Sequence, residues 1–180
     1  MEVLNCFAYT GSFAIWALKG GAAGVINVES SASCLKLAER NAELNGFGMS
    51  KIQNVEGDVF DVLRQYRDSR RFFDIIILDP PQFVGSRLQL VRASRGYKDI
   101  NLLALKLLKP GGLLFTFSCS ALMPQDLFSK IVADAALDAG RYAQIIRRLT
   151  QASDHPIALN FPEGNYLKGL VCRCVDYSGA

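Results

Sequence analysis

The sequence predicts an α/β fold: a mostly parallel, Rossmann-like sheet with helices on both faces and an antiparallel pair at one edge. Two observations carry that prediction. Short β-rich stretches alternate with longer segments of helical period, the pattern of a parallel sheet covered on both sides. In addition, Asp74-Ile75-Ile76-Ile77-Leu78-Asp79 is an unbroken apolar run bounded by acids, which suits a strand buried on both faces. With 180 residues, half of them apolar, residues 1–180 should form one domain that buries a core without metal or disulfide staples.

Taken in order, strands are expected at 3–7, 24–28, 52–56, 74–78 and 113–117, where β-branched and apolar residues cluster between breakers. Helices are expected near 12–19, 32–45, 99–108 and 126–139. The second repeats Leu35, Ala38, Ala42 and Leu44 and is stopped by Gly46. Arg64, Arg67, Arg70 and Arg71 are expected to form a solvated helix face and turn. Pro110-Gly111-Gly112 makes a turn into the fifth strand. Residues 142–149 and 166–175 then read as the antiparallel edge pair. Residues 83–98 follow a double proline, have weak periodicity, and read as a basic loop beyond a strand's carboxyl end, where open α/β sheets meet their ligands.

Twenty Lys and Arg against 17 Asp and Glu give a net charge of +3, too mild to argue for a polyanionic partner by itself. The five cysteines contain no C-x-x-C pair and there is one histidine, so neither a disulfide framework nor a metal centre is expected, and reduced thiols in a cytoplasm fit best. No apolar run is long enough to cross a bilayer, and no secretory signal opens the chain.

The first strand runs into Asn5-Cys6-Phe7-Ala8-Tyr9-Thr10-Gly11 with a helix just after it, so amides at a helix N-terminus face any ligand above the sheet. Glu29 ends the second strand, where a carboxylate can accept both hydroxyls of a ribose. One glycine instead of three, with Tyr9 in the loop, disfavours a pyrophosphate and favours a nucleoside without phosphates. The alternative is that Gly11 is a turn glycine and that Glu29 and Asp58 are helix N-caps or first-turn acids.

This loop, Glu29 and Gly57-Asp58-Val59-Phe60 after the third strand resemble class I S-adenosylmethionine-dependent methyltransferases. The resemblance implies S-adenosyl-L-methionine as cofactor. Asn5, Phe7, Tyr9 and Gly11 would line the first loop, Glu29 would hold the ribose, and Asp58 with Val59 would hold the adenine.

The fourth strand ends in Asp79-Pro80-Pro81-Gln82-Phe83 and the fifth in Ser118-Cys119-Ser120, so both open onto the cofactor end. Two prolines make a stiff corner with free carbonyls beside a carboxylate, suited to an amino-bearing base. C5 of a pyrimidine is a poor nucleophile. An enzyme that methylates it first adds a cysteine thiolate at C6, helped by an acid near N3 that Asp79 could supply. A strand-end cysteine can equally be a small buried hydrophobe, the reading given to Cys6, Cys34, Cys172 and Cys174.

Asp79 to Phe83, Arg95-Gly96-Tyr97-Lys98-Asp99-Ile100-Asn101, Phe117 to Ser120, Asp154-His155-Pro156 and Pro162-Glu163-Gly164-Asn165-Tyr166-Leu167-Lys168-Gly169 are similar to bacterial 23S ribosomal RNA 5-methylcytosine methyltransferases carrying an N-terminal PUA domain. The resemblance implies Cys119 as nucleophile and Asp79 at the target base. Its implied partner is large-subunit ribosomal RNA, with the assembly state, a homodimer included, left open. Pro80, Pro81, Phe83, Arg87, Arg92, Arg95 and Lys98 become the candidates for the substrate path, against a solvated basic loop. His155 reads as a structural loop residue before a catalytic base. Gln82 stands where the family usually has lysine. The family's PUA domain, hairpin and pre-strand helix would precede residue 3 and are not in this sequence, so the reaction chamber is expected without its RNA grip. The enzymatic rival is an amino-group or purine methyltransferase using the Asp79-Pro80-Pro81 corner directly. The non-enzymatic rival is a domain that only binds cofactor or RNA.

Overall fold

The computed structural model describes residues 1–83 and 89–175. Seven strands, β1 (Glu2–Cys6), β2 (Gly24–Glu29), β3 (Ile52–Glu56), β4 (Phe73–Leu78), β5 (Leu108–Ser118), β6 (Tyr142–Leu149) and β7 (Lys168–Val175), alternate with helices α1 (Ser12–Lys19), α2 (Ala32–Leu44), α3 (Val59–Asp68), α4 (Leu90–Leu107) and α5 (Gln125–Asp138). They form one sheet of order β3-β2-β1-β4-β5-β7-β6. The β1, β2, β3, β4 and β5 pairings are parallel, and β7 runs antiparallel to both β5 and β6. The α/β sheet with an antiparallel edge is therefore as expected from the sequence.

Period-two alternation in the central strands feeds two apolar layers. Val3, Val25 and Ile77 join Ala14, Leu18 and Ala42 from α1 and α2. Their neighbours Leu4, Ile26, Val28, Ile76 and Leu78 join Leu63, Leu103 and Phe128 from α3, α4 and α5 on the other side. Each such fully buried side chain contributes about 2 kcal/mol of transfer free energy. Cys6, Cys172 and Cys174 belong to this second layer. Burial pushes the Cys6 thiol up and the Cys172 thiol to about 11, so both are inert apolar fillers at neutral pH.

Three expectations need correction. The basic stretch 83–98 is not all loop, because α4 starts at Leu90. Ala93, Tyr97, Ile100, Leu103, Ala104 and Leu107 form its buried stripe, a helical spacing that the arginines and Gly96 obscure. Leu44 does not join the α2 stripe but is 75% exposed. It lies nine residues after Leu35, half a turn away at about 100° per residue. Finally, Pro110-Gly111-Gly112 does not precede the fifth strand but sits inside β5 as a bulge, between the pairs Phe73↔Leu108 and Ile75↔Leu113. A Cβ at Gly112 would come within 2.8 Å of the Lys109 carbonyl oxygen and 3.0 Å of that of Asp74.

Candidate functional site at the carboxyl rim of the sheet

β1 ends in a loop that adopts the left-handed region three times, at Phe7 (φ 58°), Tyr9 (φ 45°) and Gly11 (φ 80°). Such a conformation costs a non-glycine residue about 1–2 kcal/mol, so the loop must be held from outside. It is. Ala8 N–H donates to Val28 O at 3.0 Å and Gly11 N–H to Ala8 O at 2.8 Å. The Asn41 amide donates to Thr10 O at 3.0 Å, and Tyr9 N–H donates to Glu29 Oε2 at 3.0 Å. Gly11 is required twice over, since a Cβ there would also meet Ala38 Cβ at 2.8 Å. α1 starts next to it with no side-chain cap, leaving its first amides and its positive end at the loop.

Asn5 lies beneath this loop. Its amide donates to Asn27 Oδ1 at 2.9 Å, Asn27 donates to Asn54 at 3.0 Å, and Asn54 to Glu39 at 3.1 Å. This ladder follows the register Asn5↔Asn27↔Asn54 across β1, β2 and β3. Asn5 is fully buried, so its side chain braces the floor of the loop. Glu29 stands at the rim, its Oε1 accepting from Ser31 N–H at 3.0 Å. The N-cap of α2 is Ser31 and not Glu29. Asp58 is an N-cap: its side chain accepts from the Phe60 and Asp61 amides at the start of α3. That local role leaves it beside the same rim, because Gly57 N–H donates to Glu29 O at 3.1 Å. Val59 is buried in the core, so only its backbone can face a ligand.

A cleft of about 380 Å³ opens next to Asp58, lined by Phe60, Phe83, Gln89, Arg92, Ala93 and Gly96, a size within the usual range for small-molecule sites. Phe83 is its aromatic hinge, 6.2 Å from Phe60, 6.4 Å from Phe7 and 4.8 Å from Tyr97 between ring centroids. Another cavity, about 180 Å³ among Glu2, Gly24, Ile52 and Phe73, opens at the opposite rim, away from every candidate residue.

β4 and β5 bring the chemically distinctive groups together. Cys119 Sγ lies 3.8 Å from the Pro80 carbonyl oxygen, so the cysteine packs against the proline corner after Asp79. Burial raises the Asp79 carboxyl above its ordinary range. Burial and then the Asp79 charge raise the Cys119 thiol, while its own backbone amide and the Lys168 ammonium act in the opposite direction. Behind Cys119, Ser118 Oγ donates to Tyr97 Oη at 3.0 Å, pinning the end of β5 to α4. Lys168 Nζ donates to Ser120 O at 2.6 Å and Tyr166 O at 2.7 Å. Gly169 follows because a Cβ there would strike the Phe117 ring at 2.8 Å.

Among the described residues, the basic candidates do not line one path. Arg87 lies outside the described residues. Arg92 lines the Phe60–Phe83 cleft, whereas Arg95 and Lys98 line a separate groove between α4 and α5. Lys98 is ion-paired there with Asp138 at 2.7 Å. At about 100° per residue positions 92 and 98 lie about 120° apart on the helix, enough for them to face different neighbours. His155 is exposed, its Nδ1 3.0 Å from Asp154 Oδ1. Lys168, Tyr97, Ser118 and Phe60 were given no role from the sequence. Tyr97 and Lys168 sit in motifs that were legible, but their placement behind Cys119 depends on β5–β7 pairing and on α4.

The family model for S-adenosylmethionine-dependent methyltransferases matches residues 1–162. A ribosomal RNA large subunit methyltransferase I from Aeromonas salmonicida is 62% identical over 172 residues, 96% of this chain and 43% of that protein. Its namesake from Tolumonas auensis is 60% identical over 174 residues, 97% of this chain and 44% of that protein. The chain thus spans less than half the length of these curated relatives. Among solved structures, a methyltransferase complexed with SAH superposes with a TM-score of 0.84 at 27% identity, over 96% of this chain and 44% of that one. A SAM-dependent methyltransferase from Streptococcus mutans gives 0.83 at 28% identity, again over 96% and 44%.

Proposed function

The chain belongs to the S-adenosylmethionine-dependent methyltransferase family, and from that premise we propose that it forms 5-methylcytosine in large-subunit ribosomal RNA through a covalent Cys119 adduct. The observation that carries the reading is the meeting of two strand ends: the Cys119 sulfur 3.8 Å from the Pro80 carbonyl, with the Asp79 carboxyl close enough to shift it. A thiol and a carboxyl thus share the rim with the first loop. The RNA substrate follows the name of the A. salmonicida relative.

The residues present fit the cofactor. The left-handed loop of Phe7, Tyr9 and Gly11 and the uncapped α1 N-terminus would hold its amino-acid end. Glu29 would take the ribose, and Asp58 with the Val59 backbone would take the adenine beside Phe60 and Phe83. When bound, the cofactor supplies an electrophilic methyl group on a sulfonium. Cys119 adds to C6 as a thiolate, forming an S–C6 bond and shifting the ring electrons towards C5, while Asp79 gives a proton to N3. Pro80 and Pro81 offer carbonyl acceptors to the exocyclic amine. After transfer the C5 proton passes to solvent water, C5=C6 re-forms as the S–C6 bond breaks with its electron pair returning to sulfur, Asp79 takes back the N3 proton, and the thiolate is restored. Arg92 lines the cleft beside Phe60 and Phe83, and carries the strand contact proposed for the basic segment.

The test is methyl transfer from labelled S-adenosylmethionine to large-subunit ribosomal RNA, with the product nucleoside identified by mass. Label at C5 of cytosine, lost in Cys119→Ser with cofactor affinity unchanged, supports the reading. Label on an exocyclic nitrogen, or undiminished turnover by that variant, transfers the assignment to direct amino-group methylation.

A further inference from the structure

Lys168 is 8% exposed at the first position of β7, where it registers with Ser118. Its Nζ reaches past the end of β5 to the Ser120 carbonyl at 2.6 Å, and back to the carbonyl two residues before it, Tyr166 O, at 2.7 Å. Two of three N–H donors are thereby used. No carboxylate pairs with it among the described residues. An ammonium buried without a counter-ion is costly, and a methionine of similar length would fill the space at less cost. Burial accordingly lowers the Lys168 ammonium, and the Cys119 thiolate is the group that acts to raise it again.

We propose that Lys168 is a positioning residue for Cys119: two backbone carbonyls, one of them on Ser120 directly after the cysteine, hold its ammonium at the end of β5, where it supplies the positive charge that stabilises the thiolate. The inference rests on the reading of Cys119 as the nucleophile and adds the group that readies it. The titratable groups coupled electrostatically to the Cys119 thiol are Asp79 from the end of β4, Tyr97 from α4 and Lys168 from β7. Asp79 opposes ionisation, as does burial, and Lys168 favours it. The step itself is loss of the Sγ–H proton to water, the electron pair remaining on sulfur opposite the ammonium. No further reactant is needed.

The test is alkylation of Cys119 by iodoacetamide, followed by peptide mass spectrometry across roughly pH 6 to 10.5, the range spanning an ordinary thiol. Lys168→Gln, which keeps two N–H donors, and Lys168→Met are expected to move the alkylation midpoint up by about one pH unit, a roughly tenfold loss of thiolate below the midpoint. Lys168→Arg is expected to restore the wild-type midpoint. A merely structural lysine would change the rate alike at every pH, and an unmoved midpoint in folded neutral variants overturns the proposal. Should the neutral variants fail to fold, nitrogen NMR of the Lys168 ammonium decides on the intact lysine. Coupling is reciprocal, so Cys119→Ala must make Lys168 titrate at lower pH, and an unchanged titration is equally fatal. Neither measurement uses RNA or cofactor. Full turnover by Cys119→Ser therefore defeats the functional reading alone, while uncoupled Lys168 and Cys119 defeat only this one.

Discussion

At the scale of single residues, Cys119 is the position where environment and task pull apart. Burial and the Asp79 charge hold its thiol above the ordinary value, so the reactive thiolate is scarce at neutral pH and increases as pH rises through the thiol's pKa. Turnover limited by the adduct should therefore be bell-shaped in pH, rising with the thiolate and falling as Asp79, which must carry the proton given to N3, ionises. Asp79→Asn removes the opposing charge. Alkylation of Cys119 in that variant is expected at lower pH than in wild type, while methyl transfer falls because N3 loses its proton donor; an alkylation midpoint that stays put would sever the two residues. Gly11→Ala combines φ +80° with a 2.8 Å approach to Ala38 Cβ. It should lose about 2 kcal/mol or more of stability and weaken S-adenosylhomocysteine binding by calorimetry, whereas Gly46, also left-handed but with open space around it, should tolerate alanine at the cost of backbone strain alone. Residue-level signals were readable from the sequence where the chemistry is unusual, as at Asp79-Pro80-Pro81 and Cys119. They were silent at Lys168, whose role arises only when β7 lies beside β5.

At the scale of elements, helix termini do most of the positioning. Asp58 caps α3 through the Phe60 and Asp61 amides, and Asp58→Ala should cost about 1 kcal/mol in a denaturant melt. A larger loss of cofactor affinity than of stability would separate its proposed adenine role from capping. Tyr97 ties α4 to β5 through Ser118; Tyr97→Phe keeps the ring tilted against Phe83 and edge-on to Phe128 and should cost about 1 kcal/mol for the lost bond. α4 itself shows why the element was only half legible. Its stripe of Ala93, Tyr97 and Ile100 interleaves with Arg92, Arg95 and Lys98, so the first turns read as a basic loop until packing against α3 and α5 selects the helix.

Across the whole molecule, β4 links two carboxylates of opposite thermodynamic sign. Asp74, at its entry, accepts from the Glu2 amide at 2.6 Å and pairs with Lys109 at 3.1 Å, joining β1, β4 and β5. These partners, the Glu2 amide foremost, lower its carboxyl. Its stabilising contribution is therefore present above the unfolded pKa and is lost as pH falls through the lower folded value. Asp79, at the exit, is raised by burial. Its unfolded form ionises first, so stability drops as pH climbs from the unfolded to the folded value. In thermal melts at neutral pH, Asp74→Asn should lower Tm and Asp79→Asn should raise it, with both differences shrinking in acid; equal shifts would remove the electrostatic account. The sequence by itself determined the fold class, the order of strands and helices, and the residue types at both strand ends, because hydrophobic periodicity and turn chemistry are local. Only the tertiary structure decided that Asn5 braces the loop from below, that the arginines of α4 diverge, and that a lysine 48 positions along the chain bonds the Ser120 carbonyl next to Cys119. Those are consequences of strand pairing and burial, which join residues that no local pattern connects.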